Sequence, residues 1–331
     1  MYVGRLAPSP TGAVHLGLAR TFLVAWLDAR SRGGHLILRV EDIDRPRVVP
    51  GSEASIMRDL AWLGMDWDEG PELEGARGPY RQSERDSLYE AALARLEELG
   101  RTFTCTCSRK EVAGRADPRR HGVTEACPEP VEEASAPHGD SESIYPGTCR
   151  NGPRPRAGRT PSIRFRTEPN DFIAHDDALY GETLKDVHRE AGDFVIRRAD
   201  GLWAYQLAVT VDDLRQGVTC VVRGRDLLAS TPRQLLLRKL LDPAAPPLET
   251  LHVPLLLGPD GQRLAKRDGS GSLAELEERG VRPQRVLGFL ASTIGICDPG
   301  TEASVRELLA VYDRRRLTRR DFTLKGMVLP S

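Results

Sequence analysis

The chain has 331 residues, with 47 Lys and Arg against 48 Asp and Glu, for a formal net charge of -1. This length predicts about two domains, and 40% apolar with 29% charged residues is typical of a globular protein. The balanced charge gives no indication of a nucleic-acid-binding protein. The sequence has no signal-peptide pattern and no apolar run of roughly 20 residues, so we expect a cytoplasmic protein. We also expect a monomer.

Residues 1–42 predict one βαβ unit. A strand over residues 2–7 is followed by a helix over about 14–30, which Gly33-Gly34 ends, and by a strand over 35–40. The wide apolar stripe of this helix is typical of packing on a parallel sheet. The sequence therefore predicts an α/β fold.

Two further helices have start signals in the sequence. One follows Ser52, and the other begins at a capping box formed by Ser83 and Asp86 and ends at Gly100.

Beyond Thr104 the apolar periodicity fails as far as about Pro161. Residues 117–143 are rich in Pro, Glu, Ala, Ser and His, which predicts an inserted module with a long irregular loop. After it the pattern predicts strands over 162–167, 193–197, 203–211, 220–223 and 253–257, a helix over 231–241, a Gly/Ser-rich loop over 258–272 and two or three short closing helices.

The turn before the first helix is a candidate phosphate site. It reads Pro8-Ser9-Pro10-Thr11-Gly12, with His15 and Gly17 in the first turn of the helix. A helix N-terminus presents free N–H groups and a positive dipole end, and an imidazole can donate to a phosphate oxygen. A plain strand-to-helix turn with a hydrogen-bonded His is the alternative.

A late basic loop is the second candidate. Residues 262–268 read Gln-Arg-Leu-Ala-Lys-Arg-Asp, with Lys266 and Arg267 between glycines that permit movement. A mobile cation pair suits a pyrophosphate leaving group, although a basic loop can equally be solvated surface.

Closely spaced cysteines form the third candidate. Cys105 and Cys107 precede Tyr145 and Cys149, and thiolates at this spacing bind Zn²⁺, which would stabilise a module with little apolar periodicity. The alternatives for the fourth ligand are Cys127, His121 and His138, and reduced, unliganded thiols stay open as well.

Together these motifs resemble the catalytic core of class I glutamyl-tRNA synthetases over about residues 1–270. The matching segments are the start Arg5-Leu-Ala-Pro-Ser-Pro-Thr-Gly, His15-x-Gly17, Glu41-Asp-Ile-Asp-Arg45, residues 203–213, Val222-Arg-Gly-Arg-Asp226 and the late Leu-Ala-Lys-Arg loop. The end of the chain soon after this core, and the Cys-x-Cys and Tyr-x-x-x-Cys pattern, are similar to the glutamyl-Q tRNA(Asp) synthetase branch.

The resemblance implies a Rossmann-like parallel sheet with an inserted zinc-type module and a C-terminal helical region that resembles a stem-contact domain. The implied limits are 1–103 and 191–257 for the two catalytic halves, 104–190 for the insertion and 258–331 for the signature loop and helices.

The resemblance also implies site residues. Arg5 would pair with a carboxylate of glutamate and Glu41 with its ammonium group, and two arginines suit a substrate with two carboxylates. The implied glutamate site is Arg5, Leu6, Ala7, Pro8, Ser9, Glu41, Tyr205 and Arg223; the ATP site is Pro8, His15, Gly17 and Lys266, with His15 and Lys266 catalytic; the zinc ligands are Cys105, Cys107, Tyr145 and Cys149. Leu18 and Ala265 depart from the two ATP signatures of the family.

The implied reaction uses ATP, with Mg²⁺, to form glutamyl-adenylate without tRNA and then transfers glutamate to queuosine at the wobble position of tRNA(Asp). The alternatives are a shortened glutamyl-tRNA synthetase that charges the 3′ end of tRNA(Glu), a small nucleotidyltransferase, and a non-catalytic tRNA-binding relative.

Two arginine clusters could contact RNA phosphates or simply form solvated faces. They are Arg154, Arg156, Arg159, Arg164 and Arg166, and Arg314, Arg315, Arg316, Arg319 and Arg320.

Overall fold

The computed structural model describes residues 1–73, 75–113, 144–152, 158–262 and 272–324. Its strands are β1 (Val3–Leu6), β2 (His35–Leu38), β3 (Thr102–Cys105), β4 (Ser162–Phe165), β5 (Phe172–Asp177), β6 (Gly181–Asp186), β7 (Phe194–Arg197), β8 (Cys220–Gly224), β9 (Glu249–Val253), β10 (Leu256–Leu257) and β11 (Phe322–Thr323). Its α-helices are α1 (Leu16–Ser31), α2 (Ser52–Trp62), α3 (Asp86–Glu98), α4 (Arg109–Ala113), α5 (Val187–Glu190), α6 (Tyr205–Arg215), α7 (Thr231–Leu241), α8 (Leu273–Glu278), α9 (Pro283–Ser292) and α10 (Val305–Val311). Within these described ranges no helix is both long and apolar enough to span a membrane.

The predicted βαβ unit is confirmed. β1 and β2 pair in parallel, with Leu6 opposite Leu38, and α1 packs against both this pair and the helices α9 and α10. Gly33 has a φ of 59°, and the N–H groups of Gly33 and Gly34 donate to carbonyls of the last turn of α1. Glycine ends the helix here because it adopts this left-handed conformation without a Cβ clash.

Parallel pairs form the main sheet, as the sequence predicted. β8 pairs with β9 and β9 with β5, while β6 adds an antiparallel edge to β5. β1 lies beside β8, since the N–H of Thr219 donates to the Val3 carbonyl at 2.9 Å. The carboxyl ends of β1, β2, β8 and β9 therefore meet at one edge, where ligands bind in open α/β sheets.

A smaller antiparallel sheet has the order β3-β4-β7. It shares an apolar cluster with α3, α6 and α7, in which Phe165 stacks on Phe194 with ring centroids 5.1 Å apart. Three short helices, α8 to α10, follow the signature loop as expected. The domain limits given above stay predictions.

The strand predicted over residues 203–211 is wrong, because these residues begin the helix α6. Every residue of α6 from Tyr205 to Asp213 is buried. A helix that is buried on all sides has no solvent-exposed polar face to show its 3.6-residue period, and the β-branched residues Val209, Thr210 and Val211 imitate a buried strand.

Two smaller predictions need correction. Ser83 does not cap α3, because its N–H and hydroxyl donate to Asp42 at 2.8 and 2.5 Å, and the helix begins at Asp86 after a 3-10 turn. The single strand predicted over 253–257 is divided into β9 and β10 by Pro254, which has no N–H to continue a ladder.

A buried ionic cluster joins α6 to α3 and β2. Asp212 on α6 is fully buried and accepts from Arg85 Nε at 2.6 Å, Gln82 Nε2 at 2.8 Å and the Tyr89 hydroxyl at 3.0 Å, with Arg39 Nε 3.8 Å away. A buried carboxylate is tolerated only when charges and donors compensate it, as they do here.

We expect Asp212→Ala to lower the free energy of unfolding by about 3–5 kcal/mol, because it leaves buried guanidinium groups uncompensated. The matched control is Glu98→Ala, which removes an exposed pair with Arg95 at 3.1 Å and should cost less than about 1 kcal/mol. Urea unfolding of both variants checks this, and equal losses would show that the cluster is no more important than a surface pair.

Candidate active site and thiol cluster

A cavity of about 190 Å³ opens at the carboxyl edge of the main sheet. It lies between the ends of β1 and β8, the first turn of α1 and the segment after β9. The side chains and backbone that line it include Arg5, Ala7, Ser9, Thr11, Gly12, His15, Gly17, Leu18, Glu41, Tyr205, Arg223, Asp226 and Leu256.

The turn before α1 is held from two sides. The Ser52 hydroxyl donates to the Gly12 carbonyl at 2.8 Å and accepts from the Gly12 N–H at 3.0 Å. His15 caps α1, its Nδ1 accepting from the Leu18 N–H at 3.2 Å, so the proton of the neutral ring is on Nε2. A Cβ at Gly17 would lie 3.3 Å from His15 Nδ1, a tight contact that the glycine avoids.

Arg5 and Glu41 reach the cavity from a buried network of alternating charges. Arg5 donates to the Val222 carbonyl at 2.9 Å, and its Nε lies 3.6 Å from Asp213 Oδ1. Arg39, fully buried, donates to Asp213 at 2.8 Å and to Glu41 at 3.1 Å. Burial raises the pKa of Glu41 against the opposing effect of Arg39 and Arg5. Burial also acts to raise the pKa of Asp213, but the same arginines outweigh it and lower that pKa.

Tyr205 and Arg223 form the opposite wall. Arg223 Nη1 donates to Gln234 Oε1 at 2.7 Å and lies 3.5 Å from the Tyr205 hydroxyl, and Nη2 donates to the Thr231 hydroxyl at 2.8 Å. Burial raises the pKa of Tyr205, so its phenol is protonated at neutral pH. The two walls together present two guanidinium groups and one carboxylate to the same space.

The structure brings most of the predicted substrate residues together. Leu6 is fully buried behind the cavity, and the Pro8 carbonyl accepts from the Glu41 N–H at 2.8 Å, so these two support the wall. Lys266 lies outside the described residues. The predicted residues that line the cavity are Arg5, Ala7, Ser9, His15, Gly17, Glu41, Tyr205 and Arg223. Their roles toward substrates stay predictions.

The sequence analysis missed the side chains behind the cavity wall: Arg39, Asp213, Thr231, Gln234 and His252. One signal was available, since a charged residue directly after an apolar strand, as Arg39 follows β2, must find a buried partner. Nothing local in the sequence identifies the partner.

The predicted zinc ligands converge. The Sγ atoms of Cys105, Cys107 and Cys149 all lie within 4.8 Å of one another, with 3.7 Å between Cys107 and Cys149. The Tyr145 hydroxyl lies 3.3 Å from Cys105 Sγ and 3.8 Å from Cys107 Sγ. Four ligands about 2.0–2.3 Å from a tetrahedral ion are separated by about 3.3–3.8 Å, so these donors could hold zinc. Cys127, His121 and His138 lie outside the described residues.

The arginine clusters are engaged within the protein at several positions. Arg164 lies over the Tyr145 ring at 4.0 Å, and Arg314 pairs with the buried Asp28 and with Glu249. Arg159, Arg166 and Arg315 also contact protein groups, Arg316, Arg319 and Arg320 are exposed, and Arg154 and Arg156 lie outside the described residues. Contact with RNA stays a prediction.

Comparison with known proteins defines the class. The family model of the class I tRNA synthetases for E and Q, catalytic domain, matches residues 2–310. The chain therefore belongs to the class I tRNA synthetases of this group, and it is an ATP-dependent ligase of the aminoacyl-tRNA synthetase type.

Two proteins with similar sequences belong to the glutamate-specific part of that class by name. A protein of Symbiobacterium thermophilum named glutamyl-Q tRNA(Asp) synthetase is 47% identical over 96% of this chain and 94% of its own length. The glutamate–tRNA ligase 1 of Halorhodospira halophila is 40% identical over 95% of this chain and 63% of its own. The resemblance found in the motifs is confirmed.

A solved structure has the same fold. The glutamate tRNA ligase of Elizabethkingia meningosepticum, crystallised in complex with its amino acid, superposes with a TM-score of 0.77 at 28% identity. The match covers 97% of this chain and 66% of that one.

Asp59, on α2, gives the stability of the fold a testable pH dependence. The residue is 4% exposed, and this burial raises its pKa from 3.8 to about 6. A backbone hydrogen bond from Val14, just after the turn of residues 8–12, opposes the rise. Because the folded pKa is the higher one, the neutral carboxyl stabilises the fold below about pH 4, and this contribution is lost as pH rises through about 6.

We expect Asp59→Asn to raise the free energy of unfolding by on the order of 2 kcal/mol at pH 8 and to change it little at pH 4. Urea unfolding at both pH values measures this. Asp242→Asn, at an exposed position, serves as the control. A gain in the free energy of unfolding of Asp59→Asn that is the same at both pH values would contradict the raised pKa of Asp59.

Proposed function

We propose that the protein activates L-glutamate with ATP, without tRNA, and transfers it to queuosine at the wobble position of tRNA(Asp). The binding of glutamate is supported by one observation: Arg5 and Arg223 line opposite walls of one cavity, which Glu41 also lines. Glutamate has two carboxylates and one ammonium group, so two guanidinium groups and one carboxylate complement it. The names of the relatives support the acceptor.

In the first step a carboxylate oxygen of glutamate attacks the α-phosphorus of ATP, an acyl phosphate bond forms, and pyrophosphate leaves with the electron pair of the broken P–O bond. No protein nucleophile is needed. The start of α1 and His15 line the cavity, and we infer that helix N–H groups and the imidazole donate to phosphate oxygens as their charge grows. Lys266 and Mg²⁺ would add positive charge at the leaving group.

In the second step a hydroxyl of the acceptor attacks the carbonyl carbon of the mixed anhydride. The acyl C–O bond to the phosphate breaks, AMP leaves with its electron pair, and the hydroxyl proton passes to the released phosphate or to water. A second cavity of about 400 Å³ supports an approach from one side, because Tyr205 lines both cavities and Trp203 lines this one. This cavity extends to Cys107, so an acceptor that used it would pass beside the thiol cluster.

The rival function is that of a glutamyl-tRNA synthetase charging the 3′ end of tRNA(Glu). The same cavity would serve it, and the Halorhodospira relative bears that kind of name. The acceptor therefore has to be tested directly.

ATP–pyrophosphate exchange without tRNA is the decisive measurement. We expect exchange with glutamate and little with aspartate or glutamine. Lys266→Ala should lower the exchange rate by about a hundredfold or more with glutamate affinity nearly unchanged, because the cation acts on charge that grows in the transition state.

Radiolabelled glutamate is then offered to tRNA(Asp) with queuosine, tRNA(Asp) without it, and tRNA(Glu). Transfer only to the first supports the proposal. Exchange that appears only when tRNA(Glu) is added, with transfer to that tRNA, would replace it by the rival function.

Zinc binding by Cys105, Cys107, Cys149 and Tyr145 is part of the proposal, and the metal would link β3 to the segment around Cys149. We expect about one zinc per purified chain by elemental analysis. Cys107→Ala should lose the metal and lower the melting temperature, Tyr145→Phe should weaken binding, and Cys297→Ala, outside the cluster, should do neither. Full zinc in Cys107→Ala would reject this ligand set.

A further inference from the structure

The guanidinium group of Arg223 is fixed by a residue outside the cavity. Its Nε donates to Nε2 of His252 at 3.0 Å, across the parallel pair β8–β9 in which Arg223 lies opposite His252. With Gln234, Tyr205 and Thr231, this bond occupies four of the five N–H groups of the guanidinium. One N–H, on Nη2, is not used by these four bonds, and Arg223 lines the cavity.

The state of His252 follows from Asp177 behind it. Asp177 Oδ2 accepts from His252 Nδ1 at 2.6 Å and from Thr250 at 2.9 Å, and Oδ1 accepts from the N–H groups of Leu179 and Tyr180 at 3.1 Å. The backbone N–H of His252 also donates to Oδ1, at 3.4 Å. A carboxylate that accepts from all these donors is ionised, so the His252 proton is on Nδ1 and Nε2 is an acceptor. Burial lowers the pKa of His252 to about 4, which agrees with a neutral ring.

The two arginines of the cavity differ in what surrounds them. Arg5 lies 3.6 Å from the carboxylate of Asp213. The hydrogen-bond partners of Arg223, in contrast, are a neutral imidazole, an amide and two hydroxyls. Asp177 does not contact Arg223 directly, because the imidazole ring of His252 lies between them. These four hydrogen bonds thus orient Arg223 without a carboxylate among their acceptors, and Asp213 acts on its charge only through space.

We propose that His252, held by Asp177, is a positioning residue that orients Arg223 while leaving its charge for the substrate carboxylate, and so sets the preference for an acidic over a neutral amino acid. This inference rests on the proposed function, in which Arg223 binds glutamate. A carboxylate at position 252 would orient Arg223 equally well but would compete with the substrate for its charge.

Two substitutions separate positioning from packing, because each keeps the hydrogen bonding of one ring nitrogen: Nδ1 to Asp177, or Nε2 to Arg223 and to the Thr231 hydroxyl 3.2 Å away. A glutamine oxygen can take the place of Nε2, so His252→Gln keeps the acceptor for Arg223 and loses the donor to Asp177. An asparagine amide can take the place of Nδ1, so His252→Asn keeps the donor and loses the acceptor. If His252 only stabilises the fold, the variant that loses the bond to Asp177 should be the impaired one. If His252 positions Arg223, the variant that loses the bond to Arg223 should be the impaired one.

We expect His252→Asn to raise the KM for glutamate about tenfold or more, with the KM for ATP and kcat within about threefold, and to reduce the preference for glutamate over glutamine. His252→Gln should stay within about threefold of the wild type in all of these values. Exchange kinetics, glutamate binding by calorimetry and melting temperatures are measured for each. His175→Gln is the control, since His175 lies on β5 with Thr183 as its partner at 2.9 Å.

The outcomes separate the two proposals. A wild-type protein that neither binds glutamate nor supports exchange overturns the proposed function and this inference with it. Normal wild-type activity with unchanged glutamate KM in His252→Asn, or with KM changes in both variants that follow their loss of melting temperature, overturns the positioning role alone.

Discussion

The buried guanidinium of Arg39 is the interaction on which the architecture of the site depends. It follows β2, is fully buried, and contacts Asp213 on α6 and Glu41 at the cavity. Removing a charge from water is costly, so the fold is stable only when β2 and α6 come together in this register. The same contact fixes Glu41 directly and Arg5 through Asp213. Stability and site geometry therefore have one physical cause.

The second wall of the cavity, around Arg223, differs from the first in the charge of the groups that hold its arginine. Arg223 is as deeply buried as Arg5, yet its hydrogen-bond partners are neutral and the carboxylate of Asp177 lies one residue further away, behind His252. Neutral acceptors satisfy the N–H groups of a guanidinium without cancelling its charge. One wall thus holds a compensated arginine close to Glu41, and the other holds an arginine whose charge is available to an anion.

The sequence patterns predicted the structure best where an element has one buried and one exposed face, so that its period is visible in the sequence. The apolar stripe of α1, with Gly33 after it, predicted the βαβ unit that the structure has. The pattern failed at α6, because a helix buried on all sides has no polar face to reveal its period. It failed again at Ser83, whose side chain binds Asp42, 41 residues away in the chain, instead of capping the nearby helix. Local rules cannot anticipate such a distant partner.

By itself the sequence determined the fold class, the turn with His15, the residues of the thiol cluster and most residues of the cavity wall, since each rests on spacing along the chain or on motif resemblance. Only the tertiary structure decided which groups stand behind that wall. Arg39 meets Asp213 across 174 residues, and Asp177 meets His252 across 75. Their partnership is set by which strand ends and helix faces come together, and the free energy of burying a charge depends on that placement rather than on neighbours in sequence.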